Sequence, residues 1–112
     1  MALDISVSKK NGTHTVTLVG RLVDVDAKRF AKRMEQVYGD GPQRLVVDVS
    51  RLNFINSHGL GVLVFYHTTM QRDQKEFVIL NSNSDPRAYI NRLMELTNLN
   101  RVIKTAQSAA EL

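Results

Sequence analysis

The sequence predicts an α/β fold: a mixed four- to five-stranded β-sheet packed with α-helices, in one domain spanning residues 1–112. Three observations predict it. Asn11-Gly12 separates two segments that alternate apolar and polar residues, the pattern of an antiparallel hairpin with a type I′ turn. The runs Leu45–Val49 and Phe77–Leu80 are nearly all apolar and suit strands covered on both faces. Around them lie stretches whose apolar residues recur at three and four positions, the period of a helix.

Taken in order, Leu3, Ile5 and Val7 alternate with polar residues as a half-buried strand does, and His14, Val16 and Leu18 continue on the return strand. His14 reads as a packed or edge side chain rather than a ligand. Gly20 is expected to end that strand. A helix then starts near Asp24 or Asp26, with Ala27, Phe30, Ala31, Met34 and Val37/Tyr38 as its buried stripe. Lys28, Arg29, Lys32 and Arg33 fall on the opposite side, either a solvated face or a basic strip for an acidic partner. Gly39-Asp40-Gly41-Pro42 stops the helix before the Leu45 strand.

Leu60–Tyr66 is as apolar as that strand but longer and unpunctuated, so a buried helix is expected from His58 to about Arg72. Ser57 stands just before it, where an N-cap belongs, and its hydroxyl is expected to accept a backbone N–H near Leu60. A hydroxyl in that position is also one where a phosphate is welcomed, by free N–H groups and the positive end of the helix dipole. Gly59 and Gly61 let the first turn pack closely. Glu76–Leu80 is the next strand. Asp85-Pro86 reads as a cap followed by a first helical residue, with Tyr89, Ile90, Leu93, Met94 and Leu96/Thr97 facing inward. Asn98-Leu99-Asn100 closes that helix, Val102-Ile103 is a last short strand, and Ser108–Leu112 adds a terminal turn. Strands alternating with helices require parallel crossovers after the hairpin.

Composition narrows the function. At 43% hydrophobic, 23% charged and net charge +4, this is the make-up of an ordinary soluble protein. No apolar run reaches the ~18 residues that cross a bilayer, and the first seven residues do not read as a signal peptide. Without cysteine there are no disulfides or thiolate metal sites. His14, His58 and His67 are too scattered for a zinc site. The basic residues are spread out and lack interleaved aromatic residues, which argues against nucleic acid. Ser57 beside His58 is a poor start for a catalytic triad, because adjacent residues seldom reach each other with usable geometry and position 56 is Asn. P-loop, dinucleotide and nucleophile-elbow motifs are missing. A binding protein is the expected class, with no enzyme activity and no cofactor.

Asp48-Val49-Ser50, followed by Phe54-Ile55-Asn56-Ser57-His58-Gly59-Leu60-Gly61-Val62-Leu63, resembles the signature of the STAS domain. It is most similar to the bacterial anti-sigma factor antagonists, whose pattern runs Asp-(Leu/Val)-Ser and then Phe-(Met/Ile)-Asp-Ser-(Ser/Thr)-Gly-Leu-Gly. Element order and Leu96-Thr97-Asn98-Leu99 fit the same family. The resemblance implies a cytoplasmic, partner-switching module without membrane insertion. It docks on an anti-sigma factor that is also a serine kinase, releases a sigma factor, and is switched off by phosphorylation at Ser57. A PP2C-type phosphatase would reset it. The implied partner surface is Asn56, Ser57, His58, Gly59 and Leu60, with Arg21, Asp24 and Asp26 from the loop after the second strand. Two further family roles are an accessory subunit of an ABC-type lipid transporter and a permanently unphosphorylated scaffold.

The sequence departs from the family pattern at four positions. The family's Gly-Glu-(Leu/Ile)-Asp becomes Gly20-Arg21-Leu22-Val23, the Asp before the serine is Asn56, and the Ser/Thr after it is His58. The corner is therefore less negative than the family's. A phosphate there meets less repulsion, with Arg21 as a candidate partner, while a kinase that reads those carboxylates loses its cue.

Overall fold

The computed structural model describes residues 2–112; Met1, the first residue of the expected domain, lies outside the described residues. Among these residues the order is β1 (Asp4–Lys10), β2 (Thr13–Leu22), α1 (Val25–Gly39), β3 (Arg44–Ile55), α2 (Ser57–Arg72), β4 (Glu76–Leu80), α3 (Tyr89–Thr97), α4 (Leu99–Val102) and β5 (Lys104–Ala106), closed by a 3₁₀ turn at Ala109–Glu111. The strands form one five-stranded sheet in sequence order, with β1 antiparallel to β2 and every later pair parallel. The expected mixed α/β architecture is what the chain adopts.

The hairpin turn is the one Asn-Gly favours: Asn11 and Gly12 both have positive φ, 51° and 80°, and Lys10 pairs with Thr13. Alternation along the strands then divides the buried residues between two faces. Val16, Leu18, Leu45, Val47, Phe77 and Ile79 join the helices in the main core. Val46, Val78, Leu80 and Ala106 make a smaller cluster, with Leu112 packed against it. Both Val46 and Val47 are wholly buried, so this strand is covered on each side as its apolar run implied. From α1 the core takes Ala27, Phe30, Met34 and Val37, and Lys28, Arg29, Lys32 and Arg33 are exposed. His14 is half-buried, paired with Lys9 and Leu45 across the strands, and its Nδ1 is buried without a hydrogen-bond partner.

Several expectations are corrected. Gly20 does not end β2. With φ at 107° it sits at a register shift inside the strand, where a Cβ would overlap the Ala2 carbonyl oxygen, and pairing resumes to Leu22. β3 likewise runs on through Ser50 and Arg51 to Ile55. The two extensions pair with each other, Gly20 with Leu52 and Leu22 with Ile55. α3 starts at Tyr89 rather than Pro86, because the Asp85 side chain accepts the Arg87 N–H (2.9 Å) and holds the preceding residues in a turn. Val102 belongs to α4, and the last strand is Lys104–Ala106. α2 is buried on one side only: Val62, Leu63, Tyr66 and Met70 enter the core, while Val64 is 40% and Phe65 60% exposed.

Candidate functional site

The paired extensions of β2 and β3 carry the chain beyond the end of β4, and α2 springs from their tip. Asn56 donates its N–H to Leu22 O (3.0 Å), which fastens the start of α2 to the end of β2. Gly59 then lies against the same place: a Cβ there would stand 2.6 Å from Leu22 Cδ2 and 2.8 Å from Ile55 Cγ1. Only glycine lets the first turn seat this deeply. The loop to α1 is clamped separately, since the Asp26 carboxylate accepts the Val23 N–H (3.3 Å) and pairs with Arg29 (3.1 Å).

Asn56, not Ser57, caps α2. Its extended backbone lets Oδ1 reach the Gly59 N–H at 2.9 Å. The sequence expectation of a Ser57 cap was one residue too late, because Asn and Ser cap equally well. Ser57 is the first helical residue, and its exposed hydroxyl takes no part in the capping bond. The N–H groups of Ser57 and His58 lie in the first turn, where no intrahelical acceptor exists.

Of the residues expected at this corner, Arg21, Asp24, Ser57 and His58 are exposed, and Asn56, Asp26 and Leu60 are half-buried. Gly59 is buried, so it shapes the corner from beneath and offers no surface to a partner. The Arg21 guanidinium lies over the Phe54 ring, 4.9 Å from its centroid. Phe54 in turn meets Tyr89 at 5.6 Å, and the Tyr89 hydroxyl exchanges 3.3 Å hydrogen bonds with the Ile55 backbone. That aromatic shelf ties α3 to the corner. The sequence marked Tyr89 only as an inward-facing helix residue, with no signal for its contact to β3.

A second feature was missed. α1 and α2 run side by side and leave a groove of about 580 Å³ that opens beside His58. Ala31, Gly61, Val62 and Phe65 line it, with Lys28 and Lys32 along one rim. At its far end Tyr66 has its phenol pushed above the usual range by burial and by the Glu35 carboxylate. The apolar run of α2 hid this face, because nothing in a continuous run says which side stays exposed.

Elsewhere, a cleft of about 550 Å³ follows β4, lined by Asn81, Ser82, Asn83 and Asn91 among others. These groups are bonded to each other and to Ser50, for example Asn81 Nδ2 to Asn91 Oδ1 at 2.8 Å and the Ser82 N–H to Ser50 Oγ at 2.8 Å. They brace the loop. Among the described residues no cluster of three His, Asp or Glu side chains is placed to hold a metal ion, and no helix is long and apolar enough to cross a membrane.

A sequence model of the STAS domain matches residues 4–112. The chain belongs to the STAS family. Solved structures with the same fold include an anti-sigma factor antagonist from Mycobacterium paratuberculosis, 22% identical over 98% of this STAS chain and 90% of that one, with a TM-score of 0.78. A candidate anti-sigma factor antagonist from Thermotoga maritima is 20% identical, with 96% and 89% covered and a TM-score of 0.81. SpoIIAA, an anti-sigma factor antagonist, is similar in its unphosphorylated form (15% identity, 96% and 91% covered, TM-score 0.75). The Bacillus cell fate determinant SpoIIAA is similar in its phosphorylated form too (15%, 98% and 95%, TM-score 0.68). At these identities the likeness is one of fold. The α2 corner of this STAS domain has its own chemistry, with Asn56 and His58 on either side of the serine and Arg21 held over Phe54 on the adjoining strand.

Proposed function

We propose that this chain is an anti-sigma factor antagonist, a binding module whose Ser57 corner docks on an anti-sigma factor and so frees a sigma factor. The anti-sigma factor is also the serine kinase that phosphorylates Ser57, and a PP2C-type phosphatase restores the free form in the cytoplasm. The observation that carries this reading is the placement of Ser57. Its hydroxyl is exposed at the first position of α2, and the capping duty has passed to Asn56. A hydroxyl without a structural task is available to a kinase, and its modification leaves the fold standing.

Phosphorylation adds about −1.5 to −2 charges at the centre of the docking surface. Buried against a partner without a facing cation, that charge costs several kcal/mol, on the order of two decades in affinity. In the free form the helix dipole and the first-turn N–H groups favour the phosphate. No neighbouring carboxylate at position 56 or 58 opposes it. The partner surface comprises Asn56, Ser57, His58 and Leu60 with Arg21, Asp24 and Asp26, above the buried Gly59. The test is incubation with the cognate anti-sigma factor and ATP, then phosphosite mapping by mass spectrometry. Phosphate on Ser57 is expected; phosphate on Ser50 or Thr68 alone, or none, rejects the reading.

A further inference from the structure

We propose that the groove between α1 and α2 receives an acidic segment of the anti-sigma factor, one that inserts a large apolar side chain between two carboxylates. This rests on the reading of the chain as an antagonist and extends its docking surface away from Ser57. Shape is the first argument. The groove is walled by Phe65, 60% exposed, and floored by Ala31 and Val62. At Gly61 a Cβ would meet nothing within 4 Å, so the floor is open there and admits a leucine or phenylalanine.

Charge is the second argument. Arg29 is engaged with Asp26, but Lys28, Lys32 and Arg33 make no ion pair among the described residues. Lys28 and Lys32 are one turn apart on α1 and flank the apolar floor, so a ligand seated there meets two cations at helical spacing. A segment with an apolar anchor and carboxylates on either side complements both features at once.

Continuity is the third argument. His58, next to Ser57, forms one end of the groove, and Val25, 69% exposed, stands one turn before Lys28 on α1. A partner covering Ser57 therefore reaches the groove directly across His58. A lipid surface fits less well, because the apolar residues line a depression and Glu35 closes its far end, whereas interfacial helices present a raised apolar face.

The test titrates ¹⁵N-labelled protein with two synthetic helical peptides that share leucines at i and i+4. One is flanked by glutamates and its twin by lysines. The acidic peptide is expected to shift the amides of Lys28, Lys32, Gly61 and Phe65, and to bind about tenfold more weakly to Lys28→Glu/Lys32→Glu. That double variant should prefer the lysine peptide, and Phe65→Ala should weaken both. Equal binding of the two peptides, shifts elsewhere, no shifts at all, or co-sedimentation with phosphatidylglycerol vesicles that the double variant abolishes, overturns the proposal. The substituted side chains are exposed, so retained amide dispersion shows each variant folded. Neither kinase nor sigma factor enters the titration. A negative result therefore leaves the Ser57 switch standing, and a positive one survives the failure of that switch.

Discussion

Two alanine substitutions two residues apart in α2 should have opposite effects. At Gly59 the new methyl would stand 2.6 Å from Leu22 Cδ2 and 2.8 Å from Ile55 Cγ1, and neither side chain has room to retreat, being 0% and 4% exposed. Forcing them apart costs about 1–3 kcal/mol, offset by at most ~1 kcal/mol of helix preference. Gly61→Ala meets nothing within 4 Å and gains roughly 0.5–1 kcal/mol from the same preference. The two variants should therefore differ by about 2 kcal/mol, or roughly 8 °C in melting midpoint for a chain of this size. Urea titration and thermal melting followed by far-ultraviolet circular dichroism read both. If the two substitutions stabilise alike, the close seating of α2 on the ends of β2 and β3 is wrong, and so is the presentation of Ser57 that depends on it.

The cap gives a second contrast. Asn56→Ala should lose about 1 kcal/mol of unfolding free energy and Ser57→Ala less than ~0.5 kcal/mol, and the reverse order would return the cap to Ser57. Across the sheet, Lys104 and then Arg44 hold the Glu76 carboxyl below its usual range. A depressed folded pKa stabilises above the unfolded value, near 4.3, and the contribution fades as pH falls through the folded pKa. Glu76→Gln should thus cost roughly 0.5–1 kcal/mol at neutral pH, since the group is partly solvent-screened, and progressively less as pH falls below about 4.3. A cost that stays constant over that range removes the ion pairs as its source. In a pull-down from native lysate, a kinase-type anti-sigma factor should be retained; recovery of an ABC-type ATPase instead would point to the transporter role.

The hairpin was legible because Asn11-Gly12 names its own turn, and α1 because its apolar residues keep the 3.6 period while its charges keep to the other side. The strand extensions were not. Ser50, Arg51 and Asn53 interrupt the apolar run of β3, and Gly20 looks like a terminator, yet each segment supplies the other's pairing partner beyond the rest of the sheet. That information is non-local, and the site stands on it. The start of α3 was misplaced because Asp85-Pro86 suits a helix and a turn equally, and the Asp85 side chain chose the turn. At the corner, Ser57 as an exposed hydroxyl at the head of α2 was readable. The cap fell on Asn56 because Asn serves there as well as Ser, whereas the burial of Gly59 and the groove beside Phe65 depend on how α2 rotates against α1 and the sheet. A continuous apolar stretch such as Leu60–Tyr66 carries no record of that rotation.

The most direct measurement is the affinity of the cognate anti-sigma factor, by calorimetry, for unmodified protein, Ser57→Ala and the Ser57-phosphorylated form. Similar binding by the first two, with a loss of about tenfold or more on phosphorylation, is the expected result. Undiminished affinity of the phosphorylated form would contradict a switch at the head of α2.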